Sequence, residues 1–165
     1  MRDYSRICRL VFTGVAFGSM ISLVQAATKK EKTHDPGQDH EDVAGPPQWV
    51  VPPGDLPPAT RYETFDSKSV GGRVCYAIYL PPGYDAKKEE RYPVLFFCHG
   101  SGGNAVKIAK YAEEIDPAVR GGNAPEMLVV FVNGLAFSQY MDAPDGTQPV
   151  ESSIIKNLVP HIDRT

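Results

Sequence analysis

The sequence predicts an α/β fold in which an antiparallel hairpin leads into a parallel sheet with flanking helices. Three observations carry this. Two strand-like runs, residues 62–67 and 74–80, flank the turn pair Gly71-Gly72. Two short apolar runs, 94–98 and 127–132, lack alternation, as strands covered on both faces do. Segments with apolar residues at helical spacing lie between and after those runs.

Taken in order, the hairpin ends at Pro81-Pro82-Gly83-Tyr84, and Pro93 introduces Val94-Leu95-Phe96-Phe97-Cys98, expected as a central strand. A tight glycine turn follows, with Asn104 as the N-cap of a helix that puts Ile108, Tyr111 or Ala112, and Ile115 on one face. Gly121-Gly122 breaks the chain before the second apolar strand, which ends at Asn133-Gly134. A polar loop with the turn Pro144-Asp145-Gly146 leads to Pro149. That proline starts a helix with an apolar stripe of Val150, Ile154, Ile155, Leu158, Val159 and Ile162. The order is hairpin, strand, helix, strand, helix. A parallel sheet covered by helices needs more strands to close its core, so the expectation is the N-terminal part of a larger, truncated domain.

The first 60 residues read differently. Arg2, Arg6 and Arg9 precede an apolar stretch at 10–24, and Val24-Gln25-Ala26 supplies small residues at the signal-peptidase positions. The stretch is shorter than the roughly 20 residues of a spanning helix. Residues 1–26 are therefore expected to be a signal peptide, giving an exported protein, periplasmic or extracellular, with no stable membrane insertion after cleavage; an uncleaved anchor is the alternative. Without them, 14 Lys and Arg stand against 19 Asp and Glu, net −5, and no basic patch suggests nucleic acid. Residues 27–60, polar and then rich in Pro-Pro pairs, read as a disordered linker in which Trp49 and Val50–Val51 could pack onto the domain edge, and 61–165 as the folded domain. His34, Asp35, Asp39, His40, Glu41 and Asp42 fit no metal-binding loop by spacing. Cys75 and Cys98 sit in apolar runs and are expected as buried thiols, with a disulfide between them left open.

The chemistry concentrates in His99-Gly100-Ser101-Gly102-Gly103-Asn104, which leaves a strand at its carboxyl end, where such sheets bind ligands. Glycines there allow positive φ and let backbone N–H groups face one point, an arrangement that stabilises the oxyanion formed when an ester carbonyl is attacked. A glycine-rich turn with no ligand is the plainer reading of the same residues.

Together with Tyr79-Leu80-Pro81-Pro82-Gly83-Tyr84 and Tyr92-Pro93-Val94-Leu95, this loop resembles the esterase D and feruloyl-esterase group of α/β-hydrolases. Ser138-Gln139-Tyr140-Met141-Asp142, Pro149-Val150-Glu151 and Leu158-Val159-Pro160-His161-Ile162-Asp163 resemble the segment before the nucleophile in those enzymes and in the related mycolyltransferases. The resemblance spans residues 62–165. It implies the N-terminal part of an α/β-hydrolase fold and a serine esterase without metal or organic cofactor, acting on a small-molecule or polysaccharide-linked ester. It also implies that residues 99–103 form the oxyanion loop, that the Ser101 amide is one donor, and that Tyr140 and Asp142 line the substrate pocket. No G-x-S-x-G occurs in the 165 residues. The nucleophile, acid and histidine of the triad are therefore expected to be absent, and the chain inactive alone.

Three rivals follow from the same residues. Ser101 as nucleophile would use Asp142 and His161 in the order Ser, acid, His, although His99 occupies a position where an elbow needs a small residue. Gly100 to Ala105 formally match G-x-G-x-x-A, but the next strand ends at Val132-Asn133 rather than at an acid. A non-catalytic secreted binding module on the same scaffold is the third. Among single residues, Glu151 suits the first turn of a helix, His99 is expected to hydrogen-bond locally and hold its loop, and His161 to be solvated.

Overall fold

The computed structural model describes residues 46–85 and 91–164. The expected signal peptide, the polar half of the linker and the acidic and histidine residues at 34–42 lie outside the described residues. Four strands form one sheet in the order β1-β2-β4-β3: β1 Thr60–Ser67, β2 Gly72–Tyr79, β3 Val94–Phe97 and β4 Leu128–Val132. The hairpin pairs Thr60 with Tyr79 through Ser67 with Gly72. β2 runs antiparallel to β4, with Tyr76 opposite Val132, and β3 runs parallel to it, with Phe97 opposite Phe131.

The two-residue period of a strand divides these side chains between two covered faces. Ala77, Tyr79, Val129 and Phe131 meet Ile108, Ala109, Ala112 and Val119 from the helical segment that joins β3 to β4. That segment is α1 Ala105–Ile108, a 3-10 turn Ala109–Tyr111, and α2 Ala112–Arg120. Ala112 takes the inward place, while Tyr111 stays exposed against the Phe97 ring at 5.2 Å. Phe65, Val74, Tyr76, Val130 and Val132 face the other way, onto Leu158 and Ile162. Fully burying one such side chain stabilises by about 1.5–3 kcal/mol. Helices on both faces of a mixed sheet make this an α/β architecture.

The last helical segment departs from the expected stripe. It comprises α3 Val150–Ser153, a π turn Ile154–Leu158, and α4 Val159–Ile162. Pro160 has no N–H to donate to Lys156, and the Val159 N–H reaches back to the Ile154 carbonyl instead. The wide turn re-phases the segment. Val150, Leu158 and Ile162 stay buried, whereas Ile155, expected in the stripe, is 60% exposed. Asn157 on this turn accepts hydrogen bonds from Ser67 Oγ at 2.8 Å and the Ser69 amide at 3.0 Å, fastening the helix to the hairpin turn.

Two further expectations are corrected. β3 is an outer strand of the described sheet, bonded only to β4, so Leu95 is 42% exposed rather than covered on both faces. Cys75 is buried, but Cys98 is exposed at the end of β3, and both are free thiols. In residues 46–60, where packing of Trp49 and Val50–Val51 on the domain edge was an open expectation, the chain is extended and fastened to the sheet. The Cys75 amide donates to the Trp49 carbonyl at 2.9 Å and Tyr62 Oη to the Val51 carbonyl at 2.7 Å. Asn133 Nδ2 donates to the Gln48 and Trp49 carbonyls, and Val51 and Pro57 are buried.

Candidate active site

The parallel strands β3 and β4 end side by side, and their carboxyl ends feed two loops, residues 99–103 and 133–140. The first carries the predicted oxyanion residues. His99 is buried at 6% exposure, and both of its ring nitrogens are occupied. The Gly134 amide donates to Nε2 at 3.3 Å, so Nε2 is an acceptor and Nδ1 carries the proton that reaches the Gly100 carbonyl at 2.8 Å. His99 therefore holds the loop, as the sequence suggested, and has no nitrogen left for a substrate.

Gly103 lies so close to His99 that a Cβ there would stand 2.7 Å from the His99 Cβ. Gly102 adopts φ +73°, and its amide donates to the Ala136 carbonyl at 2.8 Å, joining the two loops. The Gly103 amide closes on the Gly100 carbonyl at 3.1 Å. Lys107 Nζ donates to the Gly102 carbonyl, and Asn104 Oδ1 caps α1 by accepting from the Lys107 amide at 2.9 Å. With amides 102 and 103 committed, the Ser101 amide has no acceptor among the described residues, and Ser101 is exposed. An unpaired exposed N–H on a loop held from several sides is what an oxyanion donor requires.

The second loop is strained. Leu135, Gln139 and Tyr140 have φ of 61°, 52° and 60°, in the left-handed region that side chains other than glycine and asparagine seldom enter. Tyr140 Oη accepts the His99 amide at 2.6 Å and donates to the His99 carbonyl at 3.2 Å. Burial, followed by the neighbouring Cys98, pushes the Tyr140 phenol well above its ordinary range. Ser138 Oγ donates to the Gly134 carbonyl and accepts the Tyr140 amide.

Asp142 is exposed, and both carboxylate oxygens are taken by Ser152, from its amide at 2.9 Å and from its hydroxyl at 2.6 Å. These bonds, with a smaller contribution from Lys156, lower its pKa. Asp142 ties the loop to the first turn of α3, where Glu151 also lies. Asp145 is likewise held low by the Thr147 amide and hydroxyl inside its own turn.

His161, expected to be solvated, is half-buried: its ring stacks on Phe65 at 5.6 Å and its Nε2 meets Tyr76 Oη at 3.2 Å. The proposed Ser101, Asp142 and His161 are each engaged elsewhere or exposed, and no hydrogen bond among the described residues joins them. Asn133, where a nucleotide site would place an acid, spends its amide on Gln48 and Trp49. Among the described residues no group of three His, Cys, Asp or Glu side chains is placed to hold a metal ion. The residue that sequence reasoning undervalued is Gly134: a Cβ there would stand 2.2 Å from the Tyr140 ring. Its signal was the Asn133-Gly134 pair just after the buried strand β4.

Comparison with known proteins places these loops in context. Residues 67–165 match the model of the Esterase family, described as "Putative esterase". An endo-1,4-beta-xylanase/feruloyl esterase of Xylanibacter ruminicola is 32% identical over 109 residues, covering 61% of this chain and 15% of that protein. A solved ferulic acid esterase superposes with a TM-score of 0.56 at 26% identity, covering 64% of this chain and 43% of the other. The ferulic acid esterase of the fungus Anaeromyces mucronatus gives 0.51 at 20% identity, covering 72% and 47%, a likeness of fold. The chain thus spans less than half the length of these relatives.

Proposed function

Because the chain belongs to the Esterase family and has the α/β-hydrolase architecture, we propose that it carries the carbonyl-polarising part of an exported serine carboxylesterase. The single observation that carries this is the Ser101 amide, left without an acceptor on a loop whose amides at His99, Gly102 and Gly103 are engaged. In the proposed reaction a serine oxygen attacks an ester carbonyl and the Ser101 N–H takes up the negative charge on the carbonyl oxygen. Loss of one such donor typically costs 100- to 1000-fold in kcat, by about 3–4 kcal/mol. Collapse of the tetrahedral intermediate expels the alcohol and leaves an acyl-enzyme that water hydrolyses. This chemistry uses neither metal nor organic cofactor.

The nucleophile in this reading is a G-x-S-x-G serine outside the 165 residues, since none occurs within them. The substrate is an ester of the kind named for the relatives, feruloyl groups on a small alcohol or a polysaccharide. Export rests on Arg2, Arg6, Arg9 and the apolar stretch 10–24. A non-catalytic module on the same scaffold is the second reading, because the fold is compatible with binding as well as with catalysis. Hydrolysis of p-nitrophenyl acetate and methyl ferulate separates the two. The account expects none from the 165 residues alone, and turnover once the chain is continued into the sequence encoded downstream of Thr165. A continuation without G-x-S-x-G, or one that leaves the protein inert, contradicts it.

A further inference from the structure

We propose that Tyr140 is a positioning residue for ester cleavage, one that clamps the His99 peptide and thereby holds the Ser101 amide in place; the proposal rests on the esterase reading above. The hydroxyl grips both polar groups of a single residue, accepting the His99 N–H at 2.6 Å and donating to the His99 carbonyl at 3.2 Å. That residue is the last before Gly100 and Ser101, so a shift in its peptide propagates directly to the donor. The phenol ring also packs against the His99 imidazole with centroids 5.3 Å apart.

The surroundings are built to keep the ring there. Gly134 offers it a bare Cα, where a Cβ would stand 2.2 Å from the Tyr140 Cε1 atom. The Gly134 amide donates to His99 Nε2, so one short loop holds both the backbone and the ring of His99. The backbone at Gln139 and Tyr140 takes up left-handed φ values to deliver the side chain, and such strain persists only where the contacts around it over-determine it. Burial keeps the phenol neutral across ordinary pH, so it can accept and donate at once. A hydroxyl committed in this way is not free to read a substrate, which separates this role from that of a pocket wall.

Tyr140→Phe keeps the ring and deletes the clamp. Tyr76→Phe removes a matching hydroxyl, bonded to His161 on the same face of the sheet, and serves as the control. In the 165-residue chain, exchange of the bonded amides of His99 and of Gly102 beside Ser101 is expected to rise roughly tenfold in Tyr140→Phe and to stay constant in Tyr76→Phe. In the continued, hydrolytically competent protein, kcat for p-nitrophenyl acetate is expected to fall about 10- to 100-fold at unchanged KM, the mark of an interaction felt in the transition state. A rise in KM alone, or a loss of kcat shared by Tyr76→Phe, overturns the proposal. So does unchanged exchange at His99 and Gly102. Absence of hydrolysis by the unaltered continued protein overturns the esterase reading instead, and is told apart by the exchange result.

Discussion

The hairpin side of the sheet and the carboxyl end of β3 and β4 are built on opposite principles. β1 and β2 form a regular antiparallel ladder of eight paired positions, closed on one face by Phe65, Val74 and Tyr76 against the last helix. Backbone pairing and apolar burial suffice there. Only Ala59, at the entrance to β1, takes a positive φ outside glycine. At the other end, the two loops are joined by the Gly102 amide to the Ala136 carbonyl and held by side chains reaching for backbone: His99 to Gly100 and Gly134, Tyr140 to His99, Ser138 to Gly134. Three residues within six positions carry left-handed backbone. Regular pairing is concentrated at the hairpin, whereas strain and an unpaired amide are concentrated at the proposed site. Strain of this kind costs of order 1–3 kcal/mol per residue and is tolerated where neighbouring contacts enforce it.

The largest expected effect comes from alkaline pH and falls mainly on the hairpin side. Burial pushes Tyr76 up to about 12, with Glu63 adding to it, and burial followed by Asp116 does the same for Tyr79. Tyr140 is shifted in the same direction. These groups are more easily ionised in the unfolded chain, whose phenols titrate near 10. Their contribution is therefore fully present below about pH 10 and is lost as pH rises through about 12. Thermal melting followed across that range, alongside tyrosinate absorbance, should show unfolding and ionisation together. Phenols that ionise fully near pH 10 without loss of structure would break the contrast.

Phe65→Ala comes next. It empties a buried position against Tyr76 and His161 and is expected to cost about 3–5 kcal/mol in denaturant unfolding. In the protein that remains folded, the amide signals of residues 99–103 should not move. Gly134→Ala is expected to act the other way round. Its cost in stability is smaller, about 1–3 kcal/mol for overpacking, but the changes in amide shift should concentrate at 99–103 and 134–140 because the Tyr140 ring must move. Equal perturbation of both regions by either variant would show that the two ends are not separate.

How much of this was legible in the sequence follows the same division. The hairpin, the two apolar strands and the Asn104 cap could be read because period, turn glycines and capping chemistry are local signals. Ile155 was misread because a missing N–H at Pro160 widened the helix, which a fixed helical period does not represent. His161 was misread for a related reason: its partners Phe65 and Tyr76 lie some 85 to 96 positions away in the chain and become neighbours only when the helix docks. At the candidate site, the glycines of residues 99–103 marked the tight turn that the structure places at the end of β3. The clamp that holds it did not announce itself, since positive φ at Leu135, Gln139 and Tyr140 has no residue-type signature. In residues 46–60, Trp49 and Val50–Val51 could be read as packing on the domain edge, but composition does not show the donors that Cys75 and Asn133 supply to the Gln48 and Trp49 carbonyls.

The central claim is that Ser101 contributes its amide and not its hydroxyl. Reaction of the continued protein with a fluorophosphonate, followed by mass-spectrometric mapping of the modified peptide, tests it most directly. The account predicts a single adduct on a G-x-S-x-G serine encoded beyond Thr165 and an unmodified Ser101. An adduct on Ser101 would contradict it.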